Sequence, residues 1–325
     1  MVTRSRPISR SDSSVTRVTT GYGDIREAAE RTCVMNGSVV TKAVVAYDGS
    51  PAANAAIEAA AQMFPRAHAQ IAYLWTPPFA NDDLRRRLRA RNSNLNELVA
   101  AIEREGEQEA ARLVATGVML ARAAGWDSEP VVQRAYGGEG LHLAQIADEA
   151  QSDLLIMGSR GLGAAKAFLG SVSDMAVHYS TRPVLVIPQP LLVDEYEALP
   201  DGPVVVGWDG SAGADTASAT ARNLFPTRDL HLVAVGDDIT QPAPQAGPGD
   251  QAFTAVHLQS GHGHQGRAVA DALTVYAHEQ KAAAIVVGSR GRSALAEIVL
   301  GSVAMATLHH AHRPVLVIPP LSRKI

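Results

Sequence analysis

The 325 residues are enough for about two domains, and a content of 46% hydrophobic and 19% charged residues is typical of a globular protein. A net charge of −4 provides no basic face for nucleic acid, and no apolar run approaches the roughly 18 residues that span a bilayer. A single cysteine, Cys33, excludes an internal disulfide, and the N-terminus has no apolar signal-peptide core, so a cytoplasmic protein is expected.

Residues 1–39 are rich in Ser, Thr and Arg and show no apolar periodicity, which predicts a disordered tail. Met35 lies just before the first strand-like run, so translation from Met1 and translation from Met35 both fit the sequence. The first domain is therefore expected to begin at residue 40.

A first domain is predicted over residues 40–189, where short β-branched runs alternate with Ala-rich helical stretches. Its predicted strands are Val44–Ala46, Ile71–Leu74, Val131–Arg134, Leu154–Met157 and Val184–Ile187. The charged stretch from Leu84 to Ala124 carries apolar residues near helical spacing and predicts a long helix. Apolar strands bounded by helices predict a five-stranded parallel sheet covered on both faces, and right-handed crossovers make it a doubly wound α/β/α domain.

A second domain is predicted over residues 203–319, after a linker at 190–202, and a short tail follows at 320–325. Three segments of the first domain recur there in the same order, which shows a duplication. The second copies are Val205–Ser211, Val286–Gly291 and Arg313–Pro319, which match Val44–Ser50, Ile156–Gly161 and Arg182–Pro188. The predicted strands of this domain are Val204–Val206, His231–Val235, Ala255–Leu258, Ile285–Val287 and Val315–Ile318.

The second copy is the shorter one. Asp48 and Gly158 are 110 positions apart whereas Asp209 and Gly288 are 79 apart, so 31 residues of the first copy have no counterpart. The second copy has a Pro- and Gly-rich stretch at 241–249, which cannot hold a long helix. We therefore expect a loop in place of the long helix.

Glycine and serine residues cluster after the fourth strand of each copy, at the edge of a parallel sheet where ligands bind. Gly158 and Gly161 precede Gly170-Ser171-Val172-Ser173, and Gly288 and Gly291 precede Gly301-Ser302-Val303. Each Gly-Ser pair begins a predicted helix, whose free N–H groups and positive dipole end favour an anion such as phosphate. The glycine loops can form anion-binding nests as well.

These motifs resemble those of the universal stress protein family, in which G-x-x-G, nine residues and then G-[ST] bind the ribose and phosphates of ATP. The second copy fits fully, whereas eight residues separate Gly161 from Gly170 in the first, where Gly163 could compensate. The resemblance implies an adenine-nucleotide α-hydrolase-like fold and ATP as ligand, with Mg²⁺ as a companion of its phosphates. The binding residues it implies are Asp48, Gly158, Arg160, Gly161, Gly170, Ser171, Val172 and Ser173, and then Asp209, Gly288, Arg290, Gly291, Gly301, Ser302 and Val303.

Several of these positions allow another interpretation. Asp48 and Asp209 could cap the helices that follow them. Ala304 replaces the hydroxyl of Ser173, which removes one possible phosphate contact from the second copy. No metal site is predicted, because His309, His310 and His312 have no Cys, Asp or Glu at ligand spacing.

The resemblance implies a nucleotide-dependent stress-response module rather than a fast enzyme. A slow ATPase or AMP-forming transferase on the same fold is the alternative, and a scaffold with degenerate pockets is a third hypothesis. The last strand of each copy is predicted at a sheet edge, so we expect the two copies to pack with these strands side by side. A homodimer of whole chains is possible as well.

Overall fold

The computed structural model describes residues 40–79, 81–92, 94–159, 169–236, 251, 253–259, 265–291 and 300–320. The predicted tail 1–39, the loop 241–249 and the residues Arg160, Gly161 and Gly163 lie outside the described residues. None of the helices in the described ranges has the length and apolar character that crossing a bilayer requires.

The first repeat alternates strands and helices as the sequence predicts. Its elements are β1 (Thr41–Ala46), α1 (Pro51–Met63), β2 (Ala67–Trp75), α2 (Asp82–Arg89), α3 (Leu95–Ala123), β3 (Asp127–Arg134), α4 (Glu139–Glu149), β4 (Leu154–Gly158), α5 (Ser171–Tyr179) and β5 (Val184–Ile187). A short helix, α6 (Val193–Glu197), follows within the predicted linker.

The second repeat has the same order of strands. Its elements are β6 (Val204–Gly207), α7 (Ala212–Leu224), β7 (Leu230–Val235), β8 (Phe253–Leu258), α8 (Gln265–Glu279), β9 (Ala284–Gly288), α9 (Ser302–His310) and β10 (Val315–Ile318). All ten predicted strands are confirmed, and the longest begin up to four residues earlier than their apolar runs. The apolar pattern does not reveal the first residues of β2 and β3, because His68, Asp127 and Glu129 interrupt it there.

All ten strands form one sheet in the order β3-β2-β1-β4-β5-β10-β9-β6-β7-β8. Neighbouring strands are parallel within the first repeat. Neighbouring strands of the second repeat are parallel as well. β5 and β10 lie side by side in antiparallel orientation at the centre, with Leu185 opposite Leu316. Each repeat reverses its winding direction between its first and fourth strands, which are adjacent, and the ligand crevice of a doubly wound sheet lies at that point.

Two apolar layers cover the sheet. One contains α1, α3 and α7, with Ile57, Val118 and Ala217 in its core. The other contains α4, α5, α8 and α9, with Leu143 and Leu273 in its core. This is the α/β/α architecture that the sequence predicts for each domain.

The long helix expected between Leu84 and Ala124 is confirmed as α3, which has 29 residues. It begins only at Leu95, and the separate short helix α2 precedes it. Asn81 and Asn94 are the N-caps of the two helices. The side-chain oxygen of Asn81 accepts the N–H of Leu84, and that of Asn94 accepts the N–H of Glu97, each at 2.9 Å. Asn caps of this kind define helix starts, and a leucine periodicity does not reveal them. In the second repeat, the described residues between β7 and β8 contain no helix.

Candidate functional site

The aspartates at the ends of β1 and β6 make the same local turn. Asp48 Oδ1 accepts the N–H of Ser50 at 2.9 Å, and Asp209 Oδ1 accepts that of Ser211 at 3.0 Å. The serine hydroxyls in turn accept the N–H groups of Ala53 and Ala214. The helix caps are therefore Ser50 and Ser211, and the alternative that the aspartates are the caps is wrong.

In the second repeat the structure brings Asp209 and the glycine loop together. A Cβ atom placed on Gly291 would lie 2.6 Å from Asp209 Oδ2. The second carboxylate oxygen of Asp209 thus faces Gly291, across the switch point between β6 and β9. The corresponding residues of the first repeat, Arg160 and Gly161, lie outside the described residues.

Gly158 and Gly288 have a role in packing that the sequence reasoning missed. A Cβ atom on Gly158 would lie 2.8 Å from the carbonyl oxygen of Ala52, in the first turn of α1. One on Gly288 would lie 2.9 Å from the carbonyl oxygen of Gly213, in the first turn of α7. Each glycine lets the end of a strand touch the backbone of a helix, so close approach to a ligand is not its only reason for being glycine.

Helices α5 and α9 each begin beside the carboxyl end of the fourth strand of their own repeat, with glycine as the N-cap. Because β5 and β10 are antiparallel, these two helix starts lie at opposite edges of the sheet. Gly170 and Gly301 have extended backbones, at φ −66° and −64°, and neither helix has a side-chain cap. Their N–H groups donate to the carbonyls of Ser159 and Ser289, at 2.8 and 2.7 Å. The N–H groups of the first helical turn have no partner within the helix, so each helix presents donors and a positive dipole end.

The residues after these caps differ in exposure. Ser171 and Ser302 are exposed at the first helical position, whereas Val172 and Val303 pack their side chains against the adjacent apolar layer. The N–H groups of the valines belong to the first helical turn, where the helix leaves them without a partner. Ser302 also packs against Gly266 at the start of α8, where a Cβ atom would lie 2.6 Å from Ser302 Cβ.

Ser173 is buried, and its hydroxyl donates to the carbonyl of Gly158 at 2.9 Å. The hydroxyl thus fixes the end of β4 to the first turn of α5. Ala304, its counterpart, is buried as well and leaves the second repeat without this hydrogen bond. The sequence identifies the substitution correctly, and the structure shows that the lost contact is one to a strand end.

The Arg290 backbone is held between α7 and α9. Its carbonyl contacts Gly213, and its Cα would lie 3.5 Å from a Cβ atom on Gly301. The loop carrying Arg290 and Gly291 is therefore in contact with both helix starts of the second repeat. A ligand bound to this loop would therefore lie next to the first turns of both helices.

Asp48 also affects two tyrosines that the sequence analysis did not single out. Burial, and then the negative charge of Asp48, raise the pKa of Tyr47 and that of Tyr73 above the usual value near 10. Tyr73 lies on β2, whose residue Ala72 pairs with Ala46 at the end of β1. That parallel pairing places Tyr73 near Asp48. The sequence alone could not indicate this proximity, because it depends on which strands are neighbours in the sheet.

Within the ranges that the structure describes, no three His, Cys, Asp or Glu side chains are placed to hold a metal ion. His309 Nε2 lies 3.1 Å from the sulfur of Met305.

A glycine-serine helix start on each of two doubly wound α/β/α domains defines a tandem protein of the adenine-nucleotide α-hydrolase-like class. Residues 40–188 and 252–319 match the model of the universal stress protein family. These segments cover more than half of the chain, which therefore belongs to the universal stress protein family.

Named relatives agree with this assignment. A universal stress protein of Mycobacterium tuberculosis is 32% identical over 234 residues, which are 65% of this chain and 77% of that protein. One from Mycolicibacterium smegmatis is 27% identical over 208 residues, 58% of this chain and 69% of that protein. The crystal structure of a universal stress protein from Archaeoglobus fulgidus, at 20% identity, covers 86% of this chain and 98% of its own, with a TM-score of 0.61. That likeness shows the fold.

Proposed function

We propose that each repeat, 40–189 and 203–319, binds ATP and that the cytoplasmic chain acts as a nucleotide-dependent stress-response module. The observation that carries this proposal is the pair of helix starts at Gly170 and Gly301, which lack a side-chain cap. Anions bind at such starts because the N–H groups point outward and the helix dipole is positive there. The phosphates of ATP, with Mg²⁺ as their counterion, suit this position.

The other parts of a nucleotide have places around the same helix starts. Ser171 and Ser302 are exposed residues at the helix starts, and their hydroxyls could donate to phosphate oxygens. Asp48 and Asp209 stand at the ends of the neighbouring strands, where a carboxylate oxygen could accept a ribose hydroxyl. Asp209 Oδ2 already faces Gly291, so sugar and phosphates would lie on opposite sides of one short loop.

We infer a binding role rather than fast turnover. Phosphoryl transfer needs a positioned base or water-orienting group and a well-held Mg²⁺. Asp48 and Asp209 each use one carboxylate oxygen to hold the turn that begins a helix, which suits a static contact to ribose better than proton transfer. The expected state is a chain with ATP bound and little hydrolysis.

We also infer that the β5–β10 pairing holds the two repeats together in solution. Each of these strands would otherwise present an unpaired edge, and the antiparallel register pairs them fully over Val184–Val186 and Val315–Val317. Association of whole chains would then use another surface.

The test introduces a carboxylate where a phosphate should bind. ATP at about a hundredfold excess over its Kd should stabilise the wild-type chain by about 2.7 kcal/mol, a rise in Tm of several degrees. The double variant Ser171→Asp, Ser302→Asp should lose this rise, because the carboxylates repel phosphate from the helix starts. Without ATP it should melt at or above the wild-type temperature, since an acid in the first turn stabilises a helix by about 0.3–1 kcal/mol.

The matched control is Ser171→Ala, Ser302→Ala, which removes the hydroxyls without adding charge and should weaken the shift only partly. Denatured wild-type protein should release ATP on chromatography. If no nucleotide co-purifies and no adenine nucleotide shifts the Tm, the scaffold hypothesis replaces ours. Phosphate release at about one per second or faster would instead show an enzyme.

A further inference from the structure

The two candidate sites are joined by a pair of helices that begin at them. α1 starts two residues after Gly49 and touches Gly158 through Ala52, while α7 starts two residues after Gly210 and touches Gly288 through Gly213. These contacts are backbone to backbone, with no room for a single methyl group. A displacement of either glycine loop must therefore move the first turn of the helix beside it.

The same two helices end on each other. Phe64 and Phe225 are their C-caps, and their rings lie 5.2 Å apart at an angle of 31°. Both rings are almost fully buried. Each helix has 13 residues, and is therefore about 20 Å long. A rigid connection of about that length thus runs from each candidate site to one shared contact.

Arg228 strengthens this contact across the boundary between the repeats. It lies in the second repeat and is buried, and its guanidinium donates to Met63 O, the last residue of α1, at 3.3 Å. It also donates to Leu199 O at 2.6 Å and Gly202 O at 3.1 Å, in the linker. Its guanidinium carbon lies 5.7 Å from the Phe225 ring centroid. We call Phe64, Phe225 and Arg228 the helix junction.

We propose that the two nucleotide sites are coupled through α1, α7 and the helix junction, so that filling one site changes the affinity of the other. This inference rests on the proposed function. Packed interiors transmit a displacement rather than absorb it, so a ligand that sets the position of one glycine loop also sets the position of the helix against it. The two sites are duplicates and favour the same position of the shared junction, so the second nucleotide meets a junction already in that position, which gives positive cooperativity. By linkage, the effect of each site on the other is equal.

The test compares two-site binding with the two sites measured singly, by calorimetric titration of the full chain with ATP. Ser302→Asp leaves only the first site, and Ser171→Asp leaves only the second. The product of the two association constants of the wild type should exceed the product of the single-site constants by at least about fivefold, the lower end of usual allosteric coupling.

Phe225→Leu should reduce that factor to less than about twofold while both sites still bind, because it removes one of the two rings in contact at the helix junction and lies in neither site. Arg228→Lys is the second junction variant, should Phe225→Leu fail to fold, because it keeps the charge and removes the planar guanidinium that bonds to three carbonyls. The control is Leu143→Met, a core substitution of similar size in α4, in the opposite layer, which should keep the full factor.

The outcomes are separable. Equal products in the wild type would overturn the coupling and leave the nucleotide proposal standing. Binding at one site only would overturn the coupling and would also limit the nucleotide proposal to one repeat. A factor that survives both junction variants would overturn the proposed route. Absence of any ATP binding would instead overturn the proposed function, on which the coupling depends.

Discussion

Gly158→Ala tests whether the glycine at the end of β4 serves helix packing before it serves a ligand. The added methyl carbon would lie 2.8 Å from Ala52 O and 2.9 Å from both Ala52 C and Ala52 Cβ. Two of these three atoms belong to the backbone of α1, so no side-chain rotation relieves the overlap. The helix or the strand end must move by several tenths of an ångström. Overpacking of this kind costs about 1–3 kcal/mol.

The assay is thermal and urea unfolding without nucleotide. For a chain of this size each kcal/mol lowers the Tm by about 2–4 °C, so Gly158→Ala should melt roughly 2–12 °C below the wild type. Gly288→Ala should behave alike, since its methyl would lie 2.9 Å from Gly213 O. The control is Gly207→Ala, whose methyl would lie 3.1 Å from the end of the Leu273 side chain and 3.8 Å from the backbone oxygen of Val286. If the first two variants unfold like the wild type and lose only the ATP shift, the packing argument is refuted.

Two other predictions concern buried groups. Arg228→Met should lower the free energy of unfolding by about 3–5 kcal/mol, because it leaves three carbonyls of α1 and the linker without their donor. Urea unfolding measures this loss, and Arg66→Met, which replaces an exposed arginine, is the control. A loss below about 1 kcal/mol would contradict the prediction. Tyr47 and Tyr73 should ionise above their usual value near 10, because burial and then Asp48 raise both pKa values. The stability they contribute is full below pH ~10 and is lost as the pH rises through the raised folded-state pKa. Phenolate absorbance should show Asp48→Asn lowering both pKa values and Asp209→Asn leaving them unchanged; equal effects of the two variants would disprove the placement of Asp48.

The strands and the helix starts were within reach of the sequence because local patterns determine them. Buried parallel strands give apolar runs such as Leu154–Met157, and Gly170-Ser171 begins a helix as Gly301-Ser302 does. The duplication doubles each weak signal. Right-handed crossovers then leave few topologies for five parallel strands, and the shared edge of β4 and α5 follows from them.

Contacts between distant residues were beyond reach. Gly158 is a glycine because Ala52, more than a hundred positions earlier, lies against it, and no local pattern reports that distance. The hydroxyl of Ser173 faces Gly158 O, although its place in the motif suggested phosphate. Arg228 looks like any surface arginine in the sequence, and only the fold brings it to the carbonyls of Met63, Leu199 and Gly202.

The linker helix α6 makes a contact in the second repeat that has a different partner in the first, a difference that the matching sequence motifs do not reveal. Gln151 and Lys281, both at φ 49°, mark the same turn in the two repeats, so Asp148 corresponds to His278. In the first repeat Arg182 Nε lies 3.1 Å from Asp148 Oδ1. In the second, Arg313 has no acid at that position. Glu195 of α6 supplies one instead, with its Oε1 3.7 Å from both Arg313 Nη2 and His278 Nδ1. Glu195 and Arg313 are both buried, and a buried charge that loses its partner costs several kcal/mol. The linker helix is therefore part of the second domain's structure, because it replaces an acid that the first domain carries itself.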